Sequence, residues 1–108
     1  MGIVYKVLGQ SNPAATTATT LYTVPSATQA VASTLTIANL GVSTTYRIAV
    51  RPAGASLANQ HYLAYDVPLA ANDAAMLTLG LTLAATDVVT VYAGTATVAF
   101  GLFGSEVS

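Results

Sequence analysis

The sequence predicts an all-β domain: an antiparallel β-sandwich of about eight short strands, immunoglobulin/fibronectin-like or jelly-roll-like in arrangement. Three observations carry this. Apolar residues recur with period two, the spacing of a half-buried strand, rather than at the 3.6-residue spacing of a helix. The apolar runs are short and are separated by Pro, Gly, Asn and Asp at fairly even intervals, as in sandwiches and small barrels. Thr and Ala supply about a third of the 108 residues, so every apolar stretch is broken early. The length fits one domain, residues 1–108, with no shift of composition at which to divide it.

The first strand is expected over Ile3–Leu8. It is stopped by Ser11-Asn12-Pro13, because proline donates no ladder hydrogen bond and fixes φ. Residues 10–19 run into the low-complexity tract Ala14–Thr20, whose small side chains bury little surface, and read as an extended arm or as a loop. A second strand, Thr20–Val24, ends at Val24-Pro25-Ser26. The third has Val31, Leu35 and Ile37 on one face and Ala30, Ala32, Thr34 and Thr36 on the other. After a turn at Asn39-Leu40-Gly41, Tyr46, Ile48 and Val50 oppose Thr45, Arg47 and Ala49.

Pro52-Ala53-Gly54 marks another turn, and Ala53–Asn59 has room for one helical turn at most. A strand is expected over Tyr62–Val67, and Asn72-Asp73 is turn-forming through Asx side-chain bonding. The clearest alternation is Leu77, Leu79, Leu81 and Leu83 against Thr78, Gly80 and Thr82. Val88–Ala93 and Ala96–Phe103 complete the set, parted by Ala93-Gly94-Thr95. Among the tyrosines, Tyr46 and Tyr65 are expected in the core or at a corner, since a chain without Trp needs large residues there.

Charge is scarce. Three Lys or Arg and four Asp or Glu make the chain 6% charged, with a formal net charge of −1, against about 25% in an average domain. Interspersed charge normally resists association, so its absence points to surface buried in a permanent assembly, where interfaces resemble a core cut in half. The small, flat faces Thr34–Thr36 and Thr78–Thr82 are the expected contact surfaces, giving Thr34, Thr36, Thr78 and Thr82 as interface candidates. Arg47 and Arg51, four apart on one strand face, are candidates to pair with a partner's carboxylates. His61 and Tyr62 form a further candidate contact.

The same charge balance opposes direct nucleic-acid binding, which needs clustered Lys and Arg. Thr, Ser, Gly or a charge breaks each apolar run well before the roughly 18 residues a membrane-spanning helix needs, and the N-terminal residues do not read as a secretory signal. Without cysteine, and with His61 the single histidine, neither a thiolate site nor a zinc cluster is expected, and no cofactor is implied. No Gly-x-Ser-x-Gly elbow or Gly-rich phosphate loop occurs, and turn capping accounts for Asp73 and Asp87, so an enzyme is not expected. Exposed tyrosines also serve as sugar-stacking platforms, which leaves a carbohydrate-binding module using Tyr62, Tyr65 or Tyr92 as the alternative.

The run Leu35-Thr36-Ile37-Ala38-Asn39-Leu40-Gly41-Val42-Ser43-Thr44-Thr45-Tyr46-Arg47-Ile48-Ala49-Val50 resembles the fibronectin type III and immunoglobulin-like pattern, in which a turn and a Tyr precede a core strand. The family's Trp is absent. The chain as a whole resembles small virion structural proteins of tailed bacteriophages, through Tyr5-Lys6-Val7-Leu8-Gly9-Gln10, Leu21-Tyr22-Thr23-Val24-Pro25 and Leu102-Phe103-Gly104-Ser105-Glu106. That resemblance implies a protein repeated on a virion. It would contact copies of itself and other virion proteins, as a capsid decoration or as a tail, baseplate or fibre component. A fibre-tip adhesin contacting a host-surface glycan is the alternative it leaves open.

Overall fold

The computed structural model describes residues 2–108. Eight strands form: β1 (Ile3–Ser11), β2 (Thr19–Thr23), β3 (Gln29–Asn39), β4 (Thr44–Arg51), β5 (Tyr62–Leu69), β6 (Ala74–Leu83), β7 (Val88–Ala93) and β8 (Val98–Val107). They make two four-stranded antiparallel sheets, β1-β8-β3-β6 (sheet A) and β2-β7-β4-β5 (sheet B). The chain is an eight-stranded β-sandwich.

Its pairs, β1 with β8, β2 with β7, β3 with β6 and β4 with β5, are those of a ribbon doubled on itself and then rolled up. This is the jelly-roll arrangement. An immunoglobulin-like order would pair β1 with β2, so the jelly-roll form of the expected sandwich is the one present. Between the sheets, Leu35, Ile37, Phe100 and Leu102 of sheet A meet Tyr46, Ile48, Val89 and Val91 of sheet B in one continuous core. The connection between β1 and β2 spans residues 12–18. β1 continues through Ser11, and the Thr16 amide then ties the tract to the Ala93 carbonyl at 2.8 Å.

The alternation expected in β3 holds over only half of the strand. Ser33 is an extra residue relative to β8, and it flips the parity: Ala30 and Ala32 point inward with Leu35 and Ile37, and Val31 points out. Period-two reading fails at a bulge because the sequence carries no mark of the one-residue slip. Companion irregularities lie at the same height in the neighbouring strands, at Leu8 of β1 and at Leu79-Gly80 of β6, where Gly80 takes φ 70°. In β8, Gly104 passes so close to the Val31 carbonyl that a Cβ would overlap it. The bulges therefore bend sheet A as one body.

At one end of the sandwich Asn39 is buried and fully bonded. Its side-chain amide donates to the carbonyls of Val42 (2.7 Å) and Ala70 (3.0 Å), and its Oδ1 accepts from the Gly41 amide and the Thr97 hydroxyl. Three loops are joined through one side chain, which satisfies the buried polar groups there. At the other end, the Tyr22 hydroxyl of β2 donates to Glu106 of β8, which also pairs with Lys6 at 3.3 Å. Burial first, then the Glu106 carboxylate, pushes the Tyr22 phenol well above its ordinary range. The Tyr22 hydrogen bond, then Lys6, holds the Glu106 carboxyl below its usual value.

Candidate functional site

Cross-strand partners share a face of a sheet, so the register assigns each outward side chain. The outer face of sheet A reads in rows across β1, β8, β3 and β6: Tyr5, Ser105, Val31, Thr82; then Val7, Phe103, Thr34, Thr78; then Gln10, Gly101, Thr36, Met76. None of the seven ionised side chains lies in these rows. Lys6 and Glu106 belong to the same strands but face inward, on the side that carries Ala30 and Ala32. Tyr5 and Met76 are the most open apolar residues of the face, at 83% and 77% exposure. The surface is uncharged and part apolar, with threonine hydroxyls between the larger side chains, and a shallow hollow of about 330 Å³ lies beside Val31 and Thr82 at one end of it.

The outer face of sheet B is built differently. β5 carries two residues, Tyr65 and Asp66, opposite the single Arg47 of β4. Ala64 and Val67 on either side pack toward the core, so both intervening side chains project outward. Asp66 accommodates the bulge at φ 51°, a left-handed conformation that Asp tolerates better than most residues. Its carboxylate takes a two-pronged bond from Arg47, 2.6 Å from Nε and 3.3 Å from Nη2. That carboxylate pushes the Arg47 guanidinium still further up from its ordinary value.

Arg47 also lies between two rings, 4.1 Å from the Tyr65 centroid and 4.2 Å from that of Tyr92, its cross-strand neighbour on β7. Tyr62 meets Tyr65 edge to face at 4.8 Å. One row further along, Ala49 supplies only a methyl group between Tyr62 and Thr90. The result is a half-enclosed hollow of about 210 Å³, walled by Leu57, Tyr62, Tyr92 and Arg47 and by Thr16 and Ala18 of the Ala/Thr loop. A shallower hollow of about 360 Å³ lies on the other side of Tyr62, against Asn59 and Tyr65.

The loop between β4 and β5 is anchored at both ends. Arg51 donates from Nε to the Thr90 hydroxyl at 3.0 Å and from Nη1 to the Ala55 carbonyl at 3.0 Å. Asp87 accepts from the amides of Ala53 and Ala84, bridging two turns. His61 is buried, and its Nδ1 accepts from the Ala58 amide at 3.0 Å, which ties the ring to its own loop. These bonds fix where Leu57 and Asn59 stand.

Thr34, Thr36, Thr78 and Thr82 thus come together on sheet A, and Arg47, Arg51 and Tyr62 share the outer face of sheet B, with His61 in the adjoining loop. Arg47 finds its carboxylate within the chain rather than on a partner. Tyr46 is in the core as expected, but Tyr65 is not. The bulge turns it outward, to 56% exposure. Asp66 was not singled out by sequence reasoning. The available signal was an Asp, a residue tolerant of φ > 0, placed inside an otherwise apolar strand.

Among the described residues, no group of three or more His, Asp or Glu side chains stands close enough to hold a metal ion, and no helix is long and apolar enough to cross a membrane. Comparison with known proteins finds no matching family model, no matching curated protein and no matching solved structure.

Proposed function

We propose that this chain is a non-enzymatic structural component of a bacteriophage virion, packing through the outer face of sheet A against copies of itself and against other virion proteins, as a capsid decoration or as a tail, baseplate or fibre component. The observation that carries the reading is the lack of any ionised side chain in the three rows of that face, together with its exposed Tyr5, Val7, Val31 and Met76. Exposed apolar side chains gathered on one face favour an interaction site, and charge depletion is the compositional mark of an interface core. The threonines let the face stay hydrated before assembly.

Two further points support the reading. Jelly rolls recur in viral capsid domains, which is an argument by analogy of fold. The sequence resemblance to tailed-phage virion proteins points the same way. In this role the chain contacts no nucleic acid directly, and function lies in shape and repetition.

The test is sedimentation velocity from micromolar to millimolar concentration on the wild type and on T36K/T82K. These two sites are not cross-strand partners, so the added lysines do not oppose each other directly. The wild type should associate, and the variant should remain a monomer with an unchanged melting curve. Quantitative mass spectrometry of purified particles should find the chain in many copies. A wild type that stays monomeric throughout and binds no virion protein overturns the proposal.

A further inference from the structure

We propose that the outer face of sheet B holds a binding site for an uncharged sugar, centred on Tyr62 and extending to Tyr92 on one side and to Tyr65 and Asn59 on the other. The site lies on the sheet opposite the one used for packing and does not depend on that packing.

Three observations define the ligand class. The first is charge. Arg47, the cation among the tyrosines, is neutralised by a two-pronged bond to Asp66, and Arg51 on the same face is engaged by the Thr90 hydroxyl and the Ala55 carbonyl, so neither guanidinium is left free for an anion. The second is unused hydrogen-bonding capacity. Among the described residues, no side-chain hydrogen bond within the chain involves the hydroxyls of Tyr62, Tyr65 or Tyr92, or the carboxamide of Asn59. Each phenol can donate and accept, and the carboxamide can do both. The third is shape. Two hollows of about 210 and 360 Å³ flank Tyr62, and their lining is mostly apolar.

A pyranose has apolar C–H faces and a rim of neutral hydroxyls, which complements tyrosine rings edged by phenols and an amide. An apolar peptide side chain would fill the smaller hollow but would leave the four polar groups without partners other than water. A phosphate or carboxylate would have to displace Asp66 from Arg47.

The platform is preformed. Arg47 fixes the Tyr65 and Tyr92 rings on either side of it, and the Arg51 and His61 bonds hold the loop that carries Leu57 and Asn59. A site that is ordered before binding loses less entropy when a ligand arrives. Its modest size suits one or two sugar rings and millimolar affinity.

The experiment is saturation-transfer NMR of the full chain with glucose, galactose, mannose and N-acetylglucosamine, with sialic acid as the acidic comparison. At least one neutral sugar should receive saturation, and sialic acid should not. Tyr62→Ala and Tyr92→Ala should each weaken binding by about tenfold, the scale of one lost aromatic contact. Tyr62→Phe should lose less than Tyr62→Ala. Asn59→Ala, at an exposed side chain with no bond to lose, tests the site without touching the fold. Tyr5→Ala, on the other sheet, should change nothing, and melting curves confirm that each variant is folded. No transfer to any neutral sugar, transfer undiminished in folded Tyr62→Ala and Asn59→Ala, or displacement of the sugar by an apolar peptide overturns the proposal.

Discussion

The two outer faces of this sandwich are made from the same alternating strands, yet they are opposites. Sheet A presents rows of Thr, Val, Phe and Tyr with no ion among them. Sheet B presents an arginine clasped by an aspartate and two tyrosines, hollows on either side of a third tyrosine, and a loop tied down over part of the sheet. The difference comes from where each sheet places its bulges. In sheet A they lie at one height across β1, β3 and β6. In sheet B they lie in the two edge strands, one at Leu21 of β2 and two in β5, and those in β5 put the consecutive side chains of Tyr65 and Asp66 on one face. The local bulge in β5 is what builds the aromatic site.

The sharpest way to break this contrast is to remove the close approach that lets sheet A bend. In Gly104→Ala the added Cβ overlaps the Val31 carbonyl and comes within 3.0 Å of the Ala32 Cα, both backbone atoms that cannot turn aside. The expected cost is about 3 kcal/mol, at the upper end for overpacking, measured by urea denaturation. Gly101→Ala is the control. Its Cβ meets the Thr36 hydroxyl at 2.8 Å on the outer face, where a rotamer change can relieve the contact. Its cost should stay below about 1 kcal/mol. Equal losses at the two positions would show that sheet A does not depend on its bulge.

The corresponding test in sheet B separates backbone from charge at Asp66. Both Asp66→Ala and Asp66→Gly release Arg47, but only Gly accepts φ 51° without a steric penalty. Asp66→Gly should therefore be the more stable of the two by about 1 kcal/mol. Both should loosen the Tyr65 and Tyr92 rings, seen as line broadening in aromatic NMR signals. If Ala and Gly behave alike, the strand has slipped out of its bulge and the site is not built as described.

How much of this could be read from the sequence follows the same division. The eight strands, the single core and the Leu77–Leu83 alternation were legible because an inward face needs period two and the turn formers punctuate it. The threonines of sheet A were legible as an outer surface for the same reason. The parity flip at Ser33 was not, because a bulge depends on how neighbouring strands register and leaves no pattern in its own residues. The Arg47 cluster was hidden for a related reason. Arg47 and Tyr92 are far apart in sequence and meet only through the β4–β7 register, and the outward turn of Tyr65 needs the β5 bulge. Sequence reasoning could name the tyrosines as a class but could not bring three of them to one cation.

The smallest effect concerns the charges that sheet A keeps off its outer face. Glu106 and Lys6 face inward at the open end, where Glu106 accepts from Tyr22 of the other sheet. The Glu106 carboxyl is held below its ordinary value, so the folded chain binds a proton there less readily than the unfolded chain does. Its stabilising contribution is complete above the unfolded value of about 4.3 and is lost as pH falls through the lower folded value. Tyr22 works in the opposite sense. Its phenol is raised, so its contribution is complete below about pH 10 and declines as pH rises beyond that. In Glu106→Gln, the stability difference from wild type should hold steady from about pH 5 to 9 and shrink toward about pH 2, as followed by urea denaturation across the series. Tyr22→Phe should flatten the alkaline limb. Because both groups face away from the outer surface, neither change should alter self-association. If Glu106→Gln shifts the sedimentation profile as much as T36K/T82K does, the open end of the sandwich is the contact surface and the uncharged face of sheet A is not.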